Sequence, residues 1–519
     1  MKFQREIFPH LAGPNSGLWG RADQYWQNQL STPRLYRLAI ALAIVFLCSC
    51  AYVLFTETTS ENLNCLSNKF KGFNIPPASS PSPTLPQDPH SNFTLDTPSL
   101  IFSRGNYDRN STTTSLHNIV FGIGAAAKTW NSRQRYMKQW WRPKEMRGFV
   151  WLDEPVANCS DSLPPCKISA DTSQFTYTNV RGPRSAVRIA RIVTETFRLG
   201  LPDVHWFVMG DDDTFFVAEN LVKVLSKYDH NLFYYIGSSS ESHQQNLEFS
   251  YNMAFGGGGF AISYPLAKAL ESMQDDCLQR YPSLYGSDER IQACLAELGV
   301  PLTKEPGFHQ FDIHGDAFGF LSAHPLTPFI SMHHLDKIYP LFPKMNQERA
   351  LQHLSKAIKV EPGGIFQQSI CYEKTRNISI SVSWGYVVQI VGGILPAREF
   401  EIPTRTFSTW RKSKSAGSYT FTTRPYPENS CQKPLRYYLA STGNAKNEHL
   451  SNNYLREVPG ADCSWMKPVF QHLQWIRVVK ERLDENWLQG PRRQCCQVSD
   501  FGKSFMEIRV KNCKEGTSI

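Results

Sequence analysis

Apolar and polar positions fall along this chain in blocks of changing period. Residues 38–55 are apolar throughout apart from Ser49, which is about the minimum length that crosses a bilayer. Residues 56–115 show no period and are rich in Ser, Pro, Thr and Asn. Such a stretch buries too little apolar surface to order itself, and it reads as a stem. From His117 the pattern tightens. Residues 119–124 (Ile-Val-Phe-Gly-Ile-Gly), 147–152 and 204–209 are short β-type runs. Between them, residues 183–199 place Val187, Ala190, Ile192, Val193 and Phe197 at helical spacing. Residues 218–228 then put Leu221, Val224, Leu225 and Tyr228 on one helical face. Strand and helix in alternation predict a parallel α/β sheet over residues 116–340. Beyond it, residues 378–391 open with a period of two, Phe421, Tyr437 and Tyr438 sit in further strand-like stretches, and 468–483 is the best helical run. Residues 341–519 are therefore expected to form a β-rich unit, with recognition of a substrate or a structural buttress as its two candidate roles.

Charge and cysteine usage add an orientation. Residues 1–37 carry Lys2, Arg5, Arg21, Arg34 and Arg37 against Glu6 and Asp23. The cationic flank precedes the apolar segment, so a cytosolic arm and a single-pass signal anchor are expected. A cleaved signal peptide fits less well, because the preceding arm is too long and no small-residue cleavage site follows. Asn-x-Ser/Thr sequons at Asn92, Asn110, Asn158 and Asn377 all fall on the lumenal side of that topology. So do eleven of the 13 cysteines, most of which should pair in an oxidising lumen. The absence of Cys-x-x-Cys disfavours a zinc ribbon. The net charge of +9 is mild for 519 residues, and no concentrated basic run speaks for nucleic acid.

The chemistry concentrates where the run 204–209 ends. Gly210 is followed by Asp211, Asp212 and Asp213. Adjacent carboxylates repel, so burying them calls for a counter-cation, and an open α/β sheet binds ligands beyond the carboxyl ends of its strands. Hard oxygen ligands suit Mg²⁺ or Mn²⁺ together with substrate phosphates. A solvated acidic turn is the bland alternative. An EF-hand is excluded, because Phe215 and Phe216 stand where it needs a ligand and a glycine. Four glycines, Gly256 to Gly259, lie between apolar residues and suggest a loop that lines a ligand. Asp288 stands before a helix-like run at 290–298 and reads as its N-cap or as a functional carboxylate. His333, His334 and Asp336 follow an apolar strand. Gly122-Ile-Gly124 lacks the third glycine of a dinucleotide fingerprint.

The order of these features resembles the Fringe-like inverting β1,3-glycosyltransferases, in particular plant-type Fringe-related proteins with a C-terminal domain of unknown function. The resemblance covers about residues 117–340. It implies a metal-dependent, nucleotide-sugar-binding glycosyltransferase fold (GT-A-like) in a type II Golgi membrane protein, with a UDP-sugar donor, Mn²⁺, and a glycan, glycoprotein or other carbohydrate acceptor. Carried over by position, Asp213 and His334 would bind the metal and Asp288 would be the catalytic base. Asp211 and Asp212 would face the donor, joined by Lys128, Arg133 and the glycines Gly257 and Gly258. This chain departs from the family at Ser287, where the family has Asp. A longer segment including His309, Asp312, His314 and Asp316 also separates the base from the histidines, so His309 or His333 competes with His334, and Glu289 and Asp312 are the reserve bases. A catalytically inactive, lectin-like relative is the alternative, resting on Ser287. An iron(II) oxygenase built on His314-Gly-Asp316 is the remote one.

Overall fold

The computed structural model describes residues 113–411, 416–445, 449–457, 463 and 468–517. The expected membrane segment at 38–55, the arm before it, most of the stem, Asn92, Asn110 and Cys65 lie outside the described residues. Among the described residues no helix is long and apolar enough to cross a membrane.

A seven-stranded sheet forms the head. Its strands, in spatial order, are Cys166–Ile168, Arg147–Leu152, Ile119–Gly124, Trp206–Asp211, Phe260–Ser263, Tyr235–Gly237 and Leu302–Lys304. Phe260–Ser263 runs against both its neighbours, and the remaining pairs are parallel. Side-chain alternation explains why the central strand is apolar on both sides. Ile119, Phe121 and Ile123 join a core with Trp130, while Val120 faces the other way into a core with Val187 and Ile192. The chain runs from this strand to one edge and then returns to its other side as Trp206–Asp211. That reversal opens a crevice beyond the carboxyl ends of the two strands. Gly124 and Asp211 are paired at its mouth.

The alternating pattern after residue 366 becomes an eight-stranded sheet. Its order is Gln368–Glu373, Ile378–Ser383, Val387–Gly392, Leu435–Asn444, Leu450–Arg456, Trp475–Lys480, Phe505–Lys511 and Cys495–Phe501. The disulfide Cys371–Cys496 ties its two edge strands together, so the sheet curls back on itself. Cys159–Cys166, Cys277–Cys294, Cys431–Cys463 and Cys495–Cys513 are the other disulfides among the described residues, in line with the expected oxidised pairing.

Four expectations change. Residues 183–199 form two short helices, Ser185–Ala190 and Ile192–Phe197. They break at Arg191, whose guanidinium turns to Glu195 and Asp275 at 3.2 and 2.8 Å. The run 468–483 is helical only at Pro468–His472, because Trp475–Lys480 finds strand partners on both sides. Phe421 lies in no strand. The N-cap of the helix Ser287–Glu297 is Gly286, not Asp288, with Glu289 accepting from the Gly286 backbone N–H at 3.1 Å.

The two sheets are sewn together rather than strung on a linker. Phe407–Thr409 pairs antiparallel with Ile313–Gly315, Ser242 bridges to Tyr419, and Arg436 meets Asp316 at 3.1 Å. One hydrophobic cluster extends from Trp206 in the first sheet through Phe329 to Trp384 and Ile508 in the second half.

Candidate active site

The three aspartates stand at the crevice because the strand Trp206–Asp211 ends there and a tight turn follows. Thr214 Oγ1 accepts from the Asp211 N–H at 2.8 Å and donates to the Gly257 carbonyl at 2.7 Å, which joins the turn to the glycine loop. Asp212 and Asp213 are buried, and Asp211 keeps 37% of its side chain open to the crevice. The short ladder of Phe215–Phe216 with Ser331–Met332 then lays the two-histidine segment alongside them.

That ladder decides which histidine reaches the aspartates. His333 Nε2 lies 3.0 Å from Asp213 Oδ1 and 3.6 Å from Asp211 Oδ2. The ligand expected from the sequence, His334, is turned away. Its backbone φ is +51°, its ring lies 3.9 Å from that of His333, and its Nδ1 faces Asp312 Oδ1 at 3.1 Å. The structure therefore brings Asp211, Asp213 and His333 together, with ligand atoms within 4.8 Å of one another, and sets His334 beside that group. His309 is farther off, between Glu241 at 3.1 Å and His324 at 2.9 Å.

Electrostatics follow from this packing. Burial alone would lower His333, but Asp213 and then Asp211 override it and hold the imidazole up at about 9. Burial would raise Asp213, yet His333 and Arg133 keep it well below the usual carboxylate range. Asp212 is pushed up to about 6 by burial, against the pull of Arg133. Arg133 Nη1 sits 3.0 Å from both Asp212 Oδ1 and Asp213 Oδ1, so a guanidinium partly balances the carboxylates. Lys128 is exposed on the first turn of the helix Ala127–Met137.

The glycine run is needed for close approach. A Cβ at Gly257 would stand 2.2 Å from the His333 ring, and one at Gly256 would stand 2.5 Å from Asp288 Oδ1. Gly258 donates to Gln310 Oε1 at 2.7 Å, and its carbonyl accepts from Ser331 Oγ. Gly259, at φ +85°, turns the chain into the antiparallel strand. Sequence alone marked the loop as ligand-lining. What it lines is the pair Asp288 and His333.

Asp288 therefore meets the aspartate turn through the glycine loop. Its carboxylate lies against the Gly256 N–H and accepts from Ser287 Oγ at 3.1 Å. Burial nevertheless raises its pKa, with Gly256 and Ser287 pulling the other way. Ser287, the departure noted in the sequence, thus orients the carboxylate beside it. The residues missed by sequence reasoning are Gln245, Trp410 and Arg411, which border the same cleft as Asp288 and His334. Trp410 and Arg411 lie some 120 positions downstream of Asp288 in a segment without a motif, and only the ladder between residues 313–315 and 407–409 brings them here.

Comparison with known proteins gives two family matches. The Fringe-like family matches residues 114–337, and a protein family of unknown function, DUF604, matches residues 245–496. The two overlap from 245 to 337, so the second begins inside the head and includes the glycine loop and Asp288. Among solved structures the chain is similar to an active-site mutant of LgtC, at 13% identity and a TM-score of 0.29, covering 46% of this chain and 94% of that one.

Proposed function

We propose that this chain, in which residues 114–337 match the Fringe-like family and residues 245–496 match DUF604, transfers a sugar from a UDP-sugar donor to a carbohydrate hydroxyl, with inversion and with a divalent cation. A β1,3 linkage is the expected product. The observation that carries this reading is the meeting of Asp211, Asp213 and His333 with Asp288 around one glycine loop at the switch point of the sheet.

The residues present fit a metal. Two carboxylates and an imidazole form a mixed oxygen–nitrogen set of the kind Mn²⁺ accepts, and His333 Nδ1 and Asp212 Oδ2 are buried without hydrogen-bond partners. Asp211, Asp213 and His333 would hold it, and it would neutralise the diphosphate as that group leaves. The rest is the work of side chains. Asp288 accepts the proton of the acceptor hydroxyl while the hydroxyl oxygen attacks the sugar carbon on the face opposite UDP. A carboxylate raised by burial is a better base near neutral pH than an exposed one. Ser287 and the Gly256 N–H fix its direction, so the acceptor meets an oriented oxygen. Arg133, on the aspartates, is the cation best placed to follow negative charge onto the departing diphosphate.

The cationic arm before residues 38–55 supports a type II Golgi location with the head in the lumen. Asn158 and Asn377 are exposed and would accept glycans there.

The test is UDP release from a panel of UDP-sugars by the full chain, with Mn²⁺ and with a chelator. At least one donor should be turned over only with the cation. Equal release in chelator, or none from any donor, would overturn the reading.

A further inference from the structure

Beyond the base lies an open cleft of about 560 Å³. Its floor is Asp288, Asp312 and His334, its head-side wall carries Phe249 and Tyr285, and its opposite wall is Trp410 with Arg411. The last two come from the strand segment that the second half of the chain adds to Ile313–Gly315. Trp410 is held rigidly. Its indole lies nearly parallel to the His334 ring at 4.2 Å and to the His314 ring at 4.9 Å, and His314 Nε2 is 3.2 Å from the Trp410 carbonyl. Arg411 closes the rim by pairing with Glu248, which also faces Arg181 at 4.0 Å.

We propose that this corner of the C-terminal half, Trp410 and Arg411, is the far wall of the acceptor site and restricts it to a neutral pyranoside. The inference rests on the reading of Asp288 as the base and names what Asp288 deprotonates. Three features identify the occupant. Phe249 and Tyr285, with ring centroids 5.6 Å apart, offer an apolar surface beside Asp288, and Tyr285 is 39% exposed. Such a surface suits the C–H face of a sugar ring. Gln245 Oε1 is buried in the lining without a hydrogen-bond partner, so it is an acceptor waiting for a hydroxyl. Both arginines of the lining face Glu248, whereas Asp288 and Asp312 sit on the floor. An anionic sugar would meet carboxylates there and no uncommitted cation. A neutral polyol meets hydrogen-bonding groups at no such cost. The two halves of the protein thus share one substrate, with the donor held by the head and the acceptor held between head and C-terminal half.

The experiment uses the full chain with nitrophenyl glycosides, comparing neutral pyranosides with a uronide. Arg411→Ala and Trp410→Ala should raise the acceptor KM by about tenfold, with donor KM moving less than about twofold, and Trp410→Phe should recover most of the loss. An unchanged acceptor KM, or a donor KM rising in step, overturns the assignment of the wall. A uronide that binds more tightly than the neutral glycosides overturns the acceptor class. Saturation-transfer NMR of the same glycosides, without donor, separates this inference from the one beneath it. If the parent releases no UDP from any donor yet binds neutral glycosides, and Arg411→Ala loses them, the transferase reading fails while the site stands. No glycoside binding to the parent removes the site.

Discussion

The first sheet and the second spend the same strand pattern differently. In the head, both faces are apolar and covered, one by the head's own core and the other within the cluster shared with the second half, so the ends of the strands are the surface left for chemistry. In the second sheet, the strand Ile378–Ser383 is buried on both faces although every other residue is serine. Ser379 donates to the Gly393 carbonyl at 2.8 Å, Ser383 to the Leu321 carbonyl at 3.2 Å, and Ser381 Oγ receives Gln368 at 3.0 Å. A polar face closed in this way has nothing left to offer a ligand. What the second half extends to the head instead is the segment 404–411, whose strand Phe407–Thr409 pairs with Ile313–Gly315. The difference teaches that a sheet can serve catalysis either through its strand ends or as a frame for a loop.

The largest way to break this comparison is to separate the halves. A fragment ending at residue 340 loses the strand Phe407–Thr409, the Arg436–Asp316 pair and much of a shared core, and it leaves Ile313–Gly315 as an open edge. It should give no cooperative melting transition by calorimetry and should aggregate on size exclusion. A monomeric, cooperatively melting fragment would show that the head needs no frame.

Next in size is the base. Asp288→Asn keeps the shape but cannot take a proton, so transfer should fall by roughly two orders of magnitude or more while donor affinity and melting stay near the parent. Transfer near the parent rate would move the base to Glu289 or Asp312.

A smaller effect sharpens the contrast between the sheets themselves. Gly257→Ala drives a methyl into the His333 ring, where the contact would be 2.2 Å, and overpacking of this kind costs about 1–3 kcal/mol. Gly443→Ala, in the strand Leu435–Asn444, meets nothing within 4 Å and should be neutral or stabilising by up to about 1 kcal/mol. Denaturant melts of the two variants read the difference directly, and equal losses would deny the glycine loop its role.

The smallest concerns the seam. Glu241, whose carbonyl accepts from the Thr420 N–H at 3.0 Å, is pushed up to about 8 by burial and then by Asp312. Its folded pKa lies above its unfolded value, so the folded protein holds the extra proton. This group's contribution is fully present below about 4.5 and is lost as pH rises towards 8. Glu241→Gln imitates the protonated form, and its melting temperature should fall less than the parent's between pH 5 and pH 8. Parallel pH profiles would reject this.

Much of the head was legible because its signals are local. A strand of Trp, Phe, Val and Met ending in three aspartates states both its burial and its exit point. The Ser-rich alternation at 378–383 was legible as strand, but its burial on both faces was not, because the carbonyls that satisfy the serines come from residues such as Leu321. Trp475–Lys480 looked helical for the same reason, since its strand partners lie at 450–455 and 505–510. The choice between His333 and His334 follows from the pairing of Ser331–Met332 with Phe215–Phe216, more than a hundred positions away, which the neighbouring letters do not announce. Trp410 carried no signal at all, since its meaning arises from a ladder to residues almost a hundred positions away.

That ladder also sets an order of events during synthesis. Asp288 and Trp410 are 122 positions apart, and at about 5–20 residues per second the ribosome delivers the wall roughly 6–24 s after the floor. In the later part of that interval, once residue 333 is made, the nascent chain contains the residues of the aspartate turn, the glycine loop and the base, yet the strand Ile313–Gly315 still lacks its partner. An unpaired edge is what chaperones bind and what aggregates propagate from, so quality control has a window in which to act on this chain. The same delay means that a chain terminated early carries the sequence of the reactive residues without the frame on which the head folds.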